Sequence, residues 1–522
     1  MKKTMFFLIF SIISFSVFSQ PIVEWEKKID VSRQDNLTDF ILLADGSFIG
    51  VGISLTEEAQ PSYYYRYYKF DCHGNIIWQK RLSNYIDAAN STTLLQILTV
   101  NQKTFAISGS YTKVGGANFR RSGFIALIDS SGEVLKTKDI EGSKSVSIRK
   151  TILDDEQNLI VLLNTNSSDG AFQGNQGGVD IWILKLDLQL NILSTRNFGG
   201  DRDDDATSII KAKNKGYIIT GSSNSKNGGI KTPYAYLKES PFASSDAFVM
   251  KLTESLDIDW SYAFGGNQSE SATSAIEMPN GTIVVGGMTS SYDGAFSGRN
   301  TTFSTDAYVA FIGGAGSFIS AKYIGNDRSS NQGVIFFSQL LPLDTFNYLV
   351  VCRGRTENGL FNVPNFMTWL LKMNTAGQVL WKKSFGILEK TRSIPFSYGY
   401  QIKQTIDKGY LMVGSILDTT KFRENLWIVK TSPLSIDKPF TCTGVSLYPN
   451  PTLGDLKIQS SEYLKGDTEI KVYDTIGRSV YQGVTGKSCK DTDIKLPDNL
   501  ISGLYYLTIS ETKCVLPFVK VN

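Results

Sequence analysis

The chain has 522 residues and a nearly balanced charge, with 53 lysines and arginines, 50 aspartates and glutamates, and a formal net charge of +3. This balance gives no basic footprint for nucleic acid, which we therefore do not expect as a partner. The single histidine, His73, excludes metal sites built from several histidines. It also excludes Ser-His-Asp or Cys-His catalysis unless His73 itself is the base. Five cysteines are too few and too scattered for a disulfide scaffold.

The first 19 residues have the pattern of a secretory signal peptide. Lys2 and Lys3 precede an apolar run from Met5 to Phe18, and the small residue Ser19 stands at the expected cleavage position. The run is shorter than the roughly 20 apolar residues of a membrane-spanning helix, and charged residues follow it at once. We therefore predict export by the Sec translocon, cleavage after Ser19, and a mature chain without a transmembrane segment.

Three strand patterns recur along residues 20–435, and each occurs seven times. The first pattern is an apolar strand that follows a turn, with copies that start at Asp45, Lys103, Gln157, Lys215, Asn280, Phe346 and Lys408. The second is an alternating strand, with copies at Tyr67, Phe124, Ile181, Ala247, Ala307, Thr368 and Leu426. The third aligns on Trp25, Trp78, Lys136, Ser194, Trp260, Ser320 and Trp381. A further strand precedes the first pattern, as at Asp205, Ser271 and Tyr398.

Units of four short antiparallel strands cannot bury both faces of their sheet alone. Units of this size stack radially in β-propellers. We therefore predict an all-β fold, with a seven-bladed β-propeller over residues 20–435. The third pattern begins one unit early, and the seventh unit lacks its last strand. We predict that residues 21–30 supply this strand and close the last blade, so that no outer edge stays unpaired there.

The repeats stop at Ser435, and residues 436–443 are predicted to be a linker. Alternating apolar positions and glycine turns in residues 444–522 predict a small C-terminal β-sandwich. Three motifs in this segment contain Tyr448, Pro449, Asn450, Pro451, Gly477, Gly503 and Tyr505. With these motifs the segment resembles the type A C-terminal sorting domain (Por) of the Bacteroidetes type IX secretion system.

That resemblance implies a partner and a location. The partner is the type IX secretion machinery, and the domain is commonly removed after export. The protein is then extracellular or attached to the outer-membrane surface, and the sequence leaves open which of the two applies. It also leaves open whether Cys489 and Cys514 form a disulfide.

The repeats resemble the Gly-rich propeller-type repeats of such exported cargo, most closely in Gly177 to Trp182. This resemblance implies the architecture better than an activity. We expect a monomeric, non-catalytic module that binds a protein or a glycan and needs no cofactor. The alternative is a secreted glycan-active hydrolase or lyase, because chemistry by paired carboxylates needs no histidine. Two carboxylates and an arginine in one deep central pocket would favour the enzyme, and a carboxylate-poor channel would favour binding.

The acidic run GGDRDDDATS contains a candidate calcium site at Asp201, Asp203 and Asp205. Oxygen-rich loops with carboxylates at alternate positions can bind calcium. The simpler interpretation is a solvated turn, because the corresponding run GGNQSESATS keeps only the acidic residue Glu270.

Aromatic residues in the predicted loops are the candidate binding residues. Loops that join the second and third strands of a unit are long, whereas the hairpin turns at the other end are short, as at 374–377. Long loops on a rigid scaffold are where recognition usually occurs. Their candidate binding residues are Tyr63, Tyr64, Tyr234, Tyr236, Phe242 and Tyr292. In the related segments SSDGAFQG and SYDGAFSG, and in a weaker copy, we expect Phe172, Phe296 and Phe361 to fill gaps between blades rather than contact a ligand.

Overall fold

The computed structural model describes residues 21–55, 63–87, 95–113, 120–230, 244–297, 305–324, 335–355, 366–386, 397–418, 421, 423–433, 445–450, 452–464, 468–474, 479–484, 489–500, 502–509 and 514–520. Within these residues the chain is all-β, and the elements other than strands are short 3-10 turns such as Gly170–Phe172 and Gly294–Phe296. In this part of the chain, no helix is long and apolar enough to cross a membrane. The chain divides into two compact units, Val23–Thr431 and a unit that comprises Met1–Ile22 and Ser432–Asn522.

The first unit consists of 28 described strands. Their bounds are β1 Val23–Ile29, β2 Gln34–Leu42, β3 Phe48–Leu55, β4 Tyr63–Phe70, β5 Ile76–Asp87, β6 Gln96–Thr99, β7 Thr104–Lys113, β8 Arg120–Asp129, β9 Val134–Ile140, β10 Val146–Leu153, β11 Leu159–Thr165, β12 Asp180–Leu186, β13 Ile192–Phe198, β14 Asp204–Lys211, β15 Tyr217–Ser223, β16 Asp246–Leu252, β17 Ile258–Phe264, β18 Glu270–Glu277, β19 Ile283–Thr289, β20 Asp306–Ile312, β21 Phe318–Ile324, β22 Ile335–Pro342, β23 Asn347–Arg355, β24 Phe366–Asn374, β25 Val379–Phe385, β26 Ser397–Gln404, β27 Tyr410–Asp418 and β28 Arg423–Thr431.

Strands β6 to β25 form five antiparallel four-stranded sheets of consecutive strands. Strands β1 to β5 and β26 to β28 form one eight-stranded sheet. This sheet has two halves, because β2 meets β28 only through the parallel pair of Gln34 with Glu424. One half is β2-β3-β4-β5, and the other is β26-β27-β28 with β1 paired antiparallel to β28. The first and last strands of the unit therefore share a sheet, although they are about 400 residues apart in the sequence.

The hydrophobic core lies between successive sheets. Tyr65 of β4 stacks on Phe124 of β8 at 5.5 Å between ring centroids, and both side chains are fully buried. Phe172 and Phe296 are buried in two other clusters of this kind, which confirms that they fill the core. The third predicted residue, Phe361, lies outside the described residues. Strands are therefore apolar on both faces because a neighbouring sheet covers each face.

A tryptophan in the last strand of a sheet contacts a hairpin turn of the next sheet. The Trp25 ring in β1 lies so close to Gly74 that a Cβ there would be 2.9 Å away, and the Trp78 ring approaches Gly132 in the same way, at 2.8 Å. Both glycines have positive φ, +76° and +82°, so glycine is favoured by conformation as well as by space. The equal contacts show that β1 takes the same position in its half of the eight-stranded sheet that β5 takes in the other half.

The second unit contains two smaller sheets. Its described strands are β29 Val445–Tyr448, β30 Asp455–Leu464, β31 Glu469–Asp474, β32 Ser479–Val484, β33 Cys489–Lys495, β34 Gly503–Ile509 and β35 Cys514–Lys520. The sheet orders are β29-β30-β33 and β32-β31-β34-β35. Leu456 and Ile458 of the first sheet and Val472 and Leu507 of the second belong to one buried cluster. The two sheets therefore share a core.

Candidate functional site

The predicted aromatic residues are only partly in loops. Tyr63 and Tyr64 are the first residues of β4, so the prediction that they lie in the preceding loop is wrong. The Arg81 guanidinium lies over the Tyr64 ring, 4.7 Å from its centroid, in a cation–π contact. Tyr292 is the third residue after the end of β19 and is 41 % exposed. The remaining candidates Tyr234, Tyr236 and Phe242 lie outside the described residues.

Carboxylates of the acidic run bond to the backbone of neighbouring segments and to an arginine. Asp205 pairs with Arg149 at 2.7 Å. The Asp201 carboxylate accepts a hydrogen bond from the Lys226 backbone N–H at 2.8 Å, and this bond is the main reason that its pKa is lowered. Asp203 likewise accepts the Val179 N–H at 2.8 Å. In the described residues, no three acidic, cysteine or histidine side chains come together in a group that could hold a metal ion. The calcium site therefore stays a prediction from the sequence.

A second set of carboxylates, at one repeated position, is buried. Asp204 accepts hydrogen bonds from the Gly200 N–H at 2.8 Å and from the Ser225 hydroxyl at 2.7 Å. Glu270 accepts the Gly266 N–H at 2.9 Å and bonds to the Thr289 hydroxyl at 2.8 Å. Each carboxylate thus bonds both to the turn that precedes its own strand and to a hydroxyl group at or just after the end of the next strand. Sequence reasoning missed this role, although an acid four residues after the second glycine of both runs was the available signal.

Each of these carboxylates has a buried acidic neighbour. Asp246 Oδ1 and Glu270 Oε2 both approach Gly265, where a Cβ would lie 2.4 and 2.6 Å from them. Burial, with a smaller contribution from the charge of Asp246, raises the pKa of Glu270 to about 7. Burial likewise raises the pKa of Asp180 to about 6, with a contribution from Asp204. Such shifted carboxyls can mark catalytic sites, but these are fully buried behind glycine turns.

These carboxyls predict a stability that depends on pH. The folded protein holds a proton on Glu270 between pH 4.5 and about 7, where the unfolded chain does not. The free energy of unfolding therefore falls as the pH rises through this window, by at most about 3 kcal/mol from this group. We expect Glu270→Gln to reduce the slope of stability against pH in urea titrations. The exposed control Glu254→Gln should keep the wild-type slope, and an unchanged slope for Glu270→Gln would contradict the assignment.

Side chains link the first strand of each sheet to the first strand of the next. These links include Ile97 N–H to Asp39 Oδ2 at 3.1 Å, Thr151 N–H to Gln96 Oε1 at 3.0 Å, Lys150 Nζ to Ser208 Oγ at 3.1 Å, Thr207 Oγ1 to Ala272 O at 2.6 Å, Leu340 N–H to Ser274 Oγ at 3.2 Å, Ile402 N–H to Gln339 Oε1 at 2.8 Å and Lys403 Nζ to Asp39 Oδ1 at 3.0 Å. In four of them a backbone N–H on the unpaired edge of a first strand donates to a side-chain oxygen of the preceding first strand. The last link returns from β26 to β2.

The bulges of the first strands place these side chains. An extra residue in the pairing of β2, β10, β14, β18, β22 and β26 shifts the register at one equivalent point. In β2 the extra residue is Thr38, and Asp39 follows it. In β10 the extra residue is Arg149, and Lys150 follows it. A bulge redirects the side chains around it, so the polar groups reach the next strand instead of facing the core.

A charged cavity lies at the hairpin-turn end of two neighbouring sheets. Its volume is about 720 Å³, and its walls come from the β10–β11, β14–β15 and β16–β17 turns and the end of β12. Lys185 pairs with Asp154 at 2.9 Å, and Lys215 pairs with Glu254 at 3.1 Å. Four lysines and four acidic residues line it, so their charges balance. This cavity is at the opposite end of the sheets from the loops that were predicted to bind.

The sorting motifs lie in the second unit. Tyr448 ends β29 and is 41 % exposed, whereas Tyr505 is buried and stacks on Phe518 at 5.6 Å. Gly503 begins β34, and Pro449 and Asn450 directly follow β29. Pro451 and Gly477 lie outside the described residues.

The chain is thus an all-β protein with many four-stranded sheets, consistent with a propeller-like fold, followed by a small two-sheet unit. Residues 446–516 match the family of secretion system C-terminal sorting domains. The C-terminal segment is therefore a type IX sorting domain, and the protein is exported to the cell surface or secreted. The partner that this domain implies is the secretion machinery.

No curated protein matches the chain. One similar solved structure is an ulvan lyase of polysaccharide lyase family PL25, with 8 % identity over 83 % of this chain and 93 % of that chain and a TM-score of 0.33. A point mutant of NanB sialidase from Streptococcus pneumoniae has 10 % identity over 80 % and 71 %, with a TM-score of 0.38. Puromycin hydrolase has 10 % identity over 85 % and 62 %, with a TM-score of 0.37. Similarities this low identify no function for this chain.

Proposed function

We propose that residues 21–433 form a closed, seven-bladed β-propeller whose last blade is completed by β1. The links between first strands support this, because they run from each sheet to the next and return from Lys403 of β26 to Asp39 of β2. The antiparallel pairing of β1 with β28 gives the last sheet the four strands of the others. We also propose that residues 1–19 are a signal peptide and that the protein comes from a member of the Bacteroidetes.

The propeller serves as an extracellular, non-catalytic module that binds a protein or a glycan through the loop ends of its blades. The observation that carries this proposal is the exposed Tyr292 ring, together with the Tyr64–Arg81 pair, at loop ends of their sheets. Aromatic rings of this kind stack on sugar faces or anchor a protein partner.

A glycan-active hydrolase or lyase is the alternative to a binding module. Near the proposed axis, Asp39 is paired with Lys403 at 3.0 Å and Asp205 with Arg149 at 2.7 Å. Two carboxylates that act as acid and base have to be available to the substrate. Carboxylates that neutralise a neighbouring cation suit a scaffold better, and we therefore favour binding over catalysis.

A screen of the mature protein against glycan and protein arrays tests the proposal. Once a ligand is found, Tyr292→Ala and Tyr64→Ala should each weaken binding about tenfold, because each removes an aromatic contact at the loop end. Variants of Tyr234 and Tyr236 should act alike. The melting temperature should stay unchanged, and the hairpin-turn control Thr375→Ala should bind as the wild type does. Weaker binding by the control alone would move the site to the hairpin-turn end, and turnover of an arrayed glycan would favour the enzyme.

A further inference from the structure

One position in the first strands carries an acceptor in several sheets and a lysine in another. Asp39, Gln96, Ser274 and Gln339 stand at or near this position after the bulge, and each accepts a backbone N–H of the following sheet. Lys150 occupies it in β10. An ammonium has no acceptor, so Lys150 cannot satisfy a neighbouring N–H. The links from β14 and β26 also lack such an acceptor, but Lys150 is the lysine that stands at this position directly after a bulge. Departures from a scaffold pattern often occur at functional sites.

The ammonium of Lys150 is only lightly bonded. Among the described residues, its one hydrogen bond goes to the Ser208 hydroxyl at 3.1 Å, and it has no ion pair there. An ammonium has three donors, so two remain. Asp39 is the carboxylate whose charge acts on Lys150, and it is already paired with Lys403 at 3.0 Å. Burial is the main reason that the pKa of Lys150 is lowered to about 8, while the charge of Asp39 opposes this shift and the charge of Lys403 adds to it.

The local charges add up to a single positive excess. Arg149, Lys150 and Lys403 face two carboxylates, Asp39 and Asp205, each of which already has its own cation partner. Lys150 keeps some exposed surface, whereas Ser208 is buried. The group that would balance the site therefore carries one negative charge.

We propose that Lys150 and Ser208 bind the carboxylate group of a ligand at the axis of the propeller. The Ser208 oxygen accepts the bond from Lys150, so its own O–H is left to donate to a second acceptor. Two remaining ammonium donors and one hydroxyl donor match the two oxygens of a carboxylate. This inference rests on the proposed function only in that the first strands must face a common axis.

Isothermal titration of the mature full-length protein with acetate and with D-glucuronate tests the site. Chloride at matched ionic strength and neutral D-glucose serve as reference solutes. We expect saturable binding of both carboxylates, and Lys150→Met should weaken it about tenfold because a charged hydrogen bond is lost. Ser208→Ala should weaken it less. Tighter binding of D-glucuronate than of acetate would identify an acidic sugar as the ligand class.

The matched control is Lys136→Met, which removes an exposed lysine from β9 and should bind acetate as the wild type does. Lys150→Gln is the second variant in case Lys150→Met does not fold. Equal acetate affinity in wild type and Lys150→Met, or no preference over chloride, would overturn the site. Circular dichroism and the melting temperature measure the folding of the ring independently of acetate binding. Such a result in a folded variant would therefore leave the proposed propeller intact.

Discussion

A chain that lacks residues 444–522 should accumulate in the periplasm instead of reaching the cell surface. The reason is that the family match at 446–516 lies entirely within the deleted segment, so the secretion machinery has nothing to recognise. The signal peptide predicted at residues 1–19 still supports the first step across the inner membrane. We expect a loss of nearly all surface protein, measured by fractionation and by protease accessibility of whole cells.

Point variants separate recognition of the folded sorting domain from recognition of a short motif. Val472 in β31 is fully buried, so Val472→Asp places an unpaired charge in the shared core and should unfold this unit and abolish export. Val484 in the adjacent β32 is 62 % exposed, so Val484→Asp makes the same chemical change without that cost and should be exported. Normal surface display of the truncated chain would reject the assignment of this segment.

The sequence predicted the strands well because strand signals are local. A turn followed by alternating or continuous apolar residues depends only on neighbours along the chain, and the repeats multiply that signal. Thus β15, β19 and β27, and β1 itself, begin and end close to their predicted positions. The boundary at Tyr63 was missed because β4 begins with three tyrosines, which suit an exposed loop as well as a strand.

The roles of polar side chains could not be predicted in the same way, because their partners are remote in sequence. The Asp39 carboxylate meets the Ile97 N–H, and the Arg149 guanidinium meets Asp205, across 58 and 56 residues. A carboxylate in a Gly-rich run has the same local sequence whether it binds calcium, faces water or accepts N–H groups. The bonds of Asp201 and Asp203 to the Lys226 and Val179 backbone follow from the fold and not from the local sequence.

Loss of β1 should destabilise the whole first unit, which makes it the most informative test of ring closure. Deletion of residues 21–30 leaves β28 as an open edge and uncovers Trp427, whose side chain is fully buried and donates to Glu26 at 2.6 Å. Trp25→Asp removes the contact with the Gly74 turn and places a charge against it. Truncations of large aromatic side chains in packed sites typically cost about 3–5 kcal/mol, so the variant should melt well below the wild type.

Cooperativity distinguishes closure from local packing. If β1 joins the first and last sheets into one ring, its loss removes a restraint on every sheet, and a single transition should shift to lower temperature in calorimetry. The control is Leu193→Asp in β13, which changes an apolar residue that is 52 % exposed on the last strand of another sheet and should melt within about 1 °C of wild type. A Trp25→Asp melting curve that coincides with the wild type, or one in which only a small first transition moves, would show that β1 merely covers the last sheet.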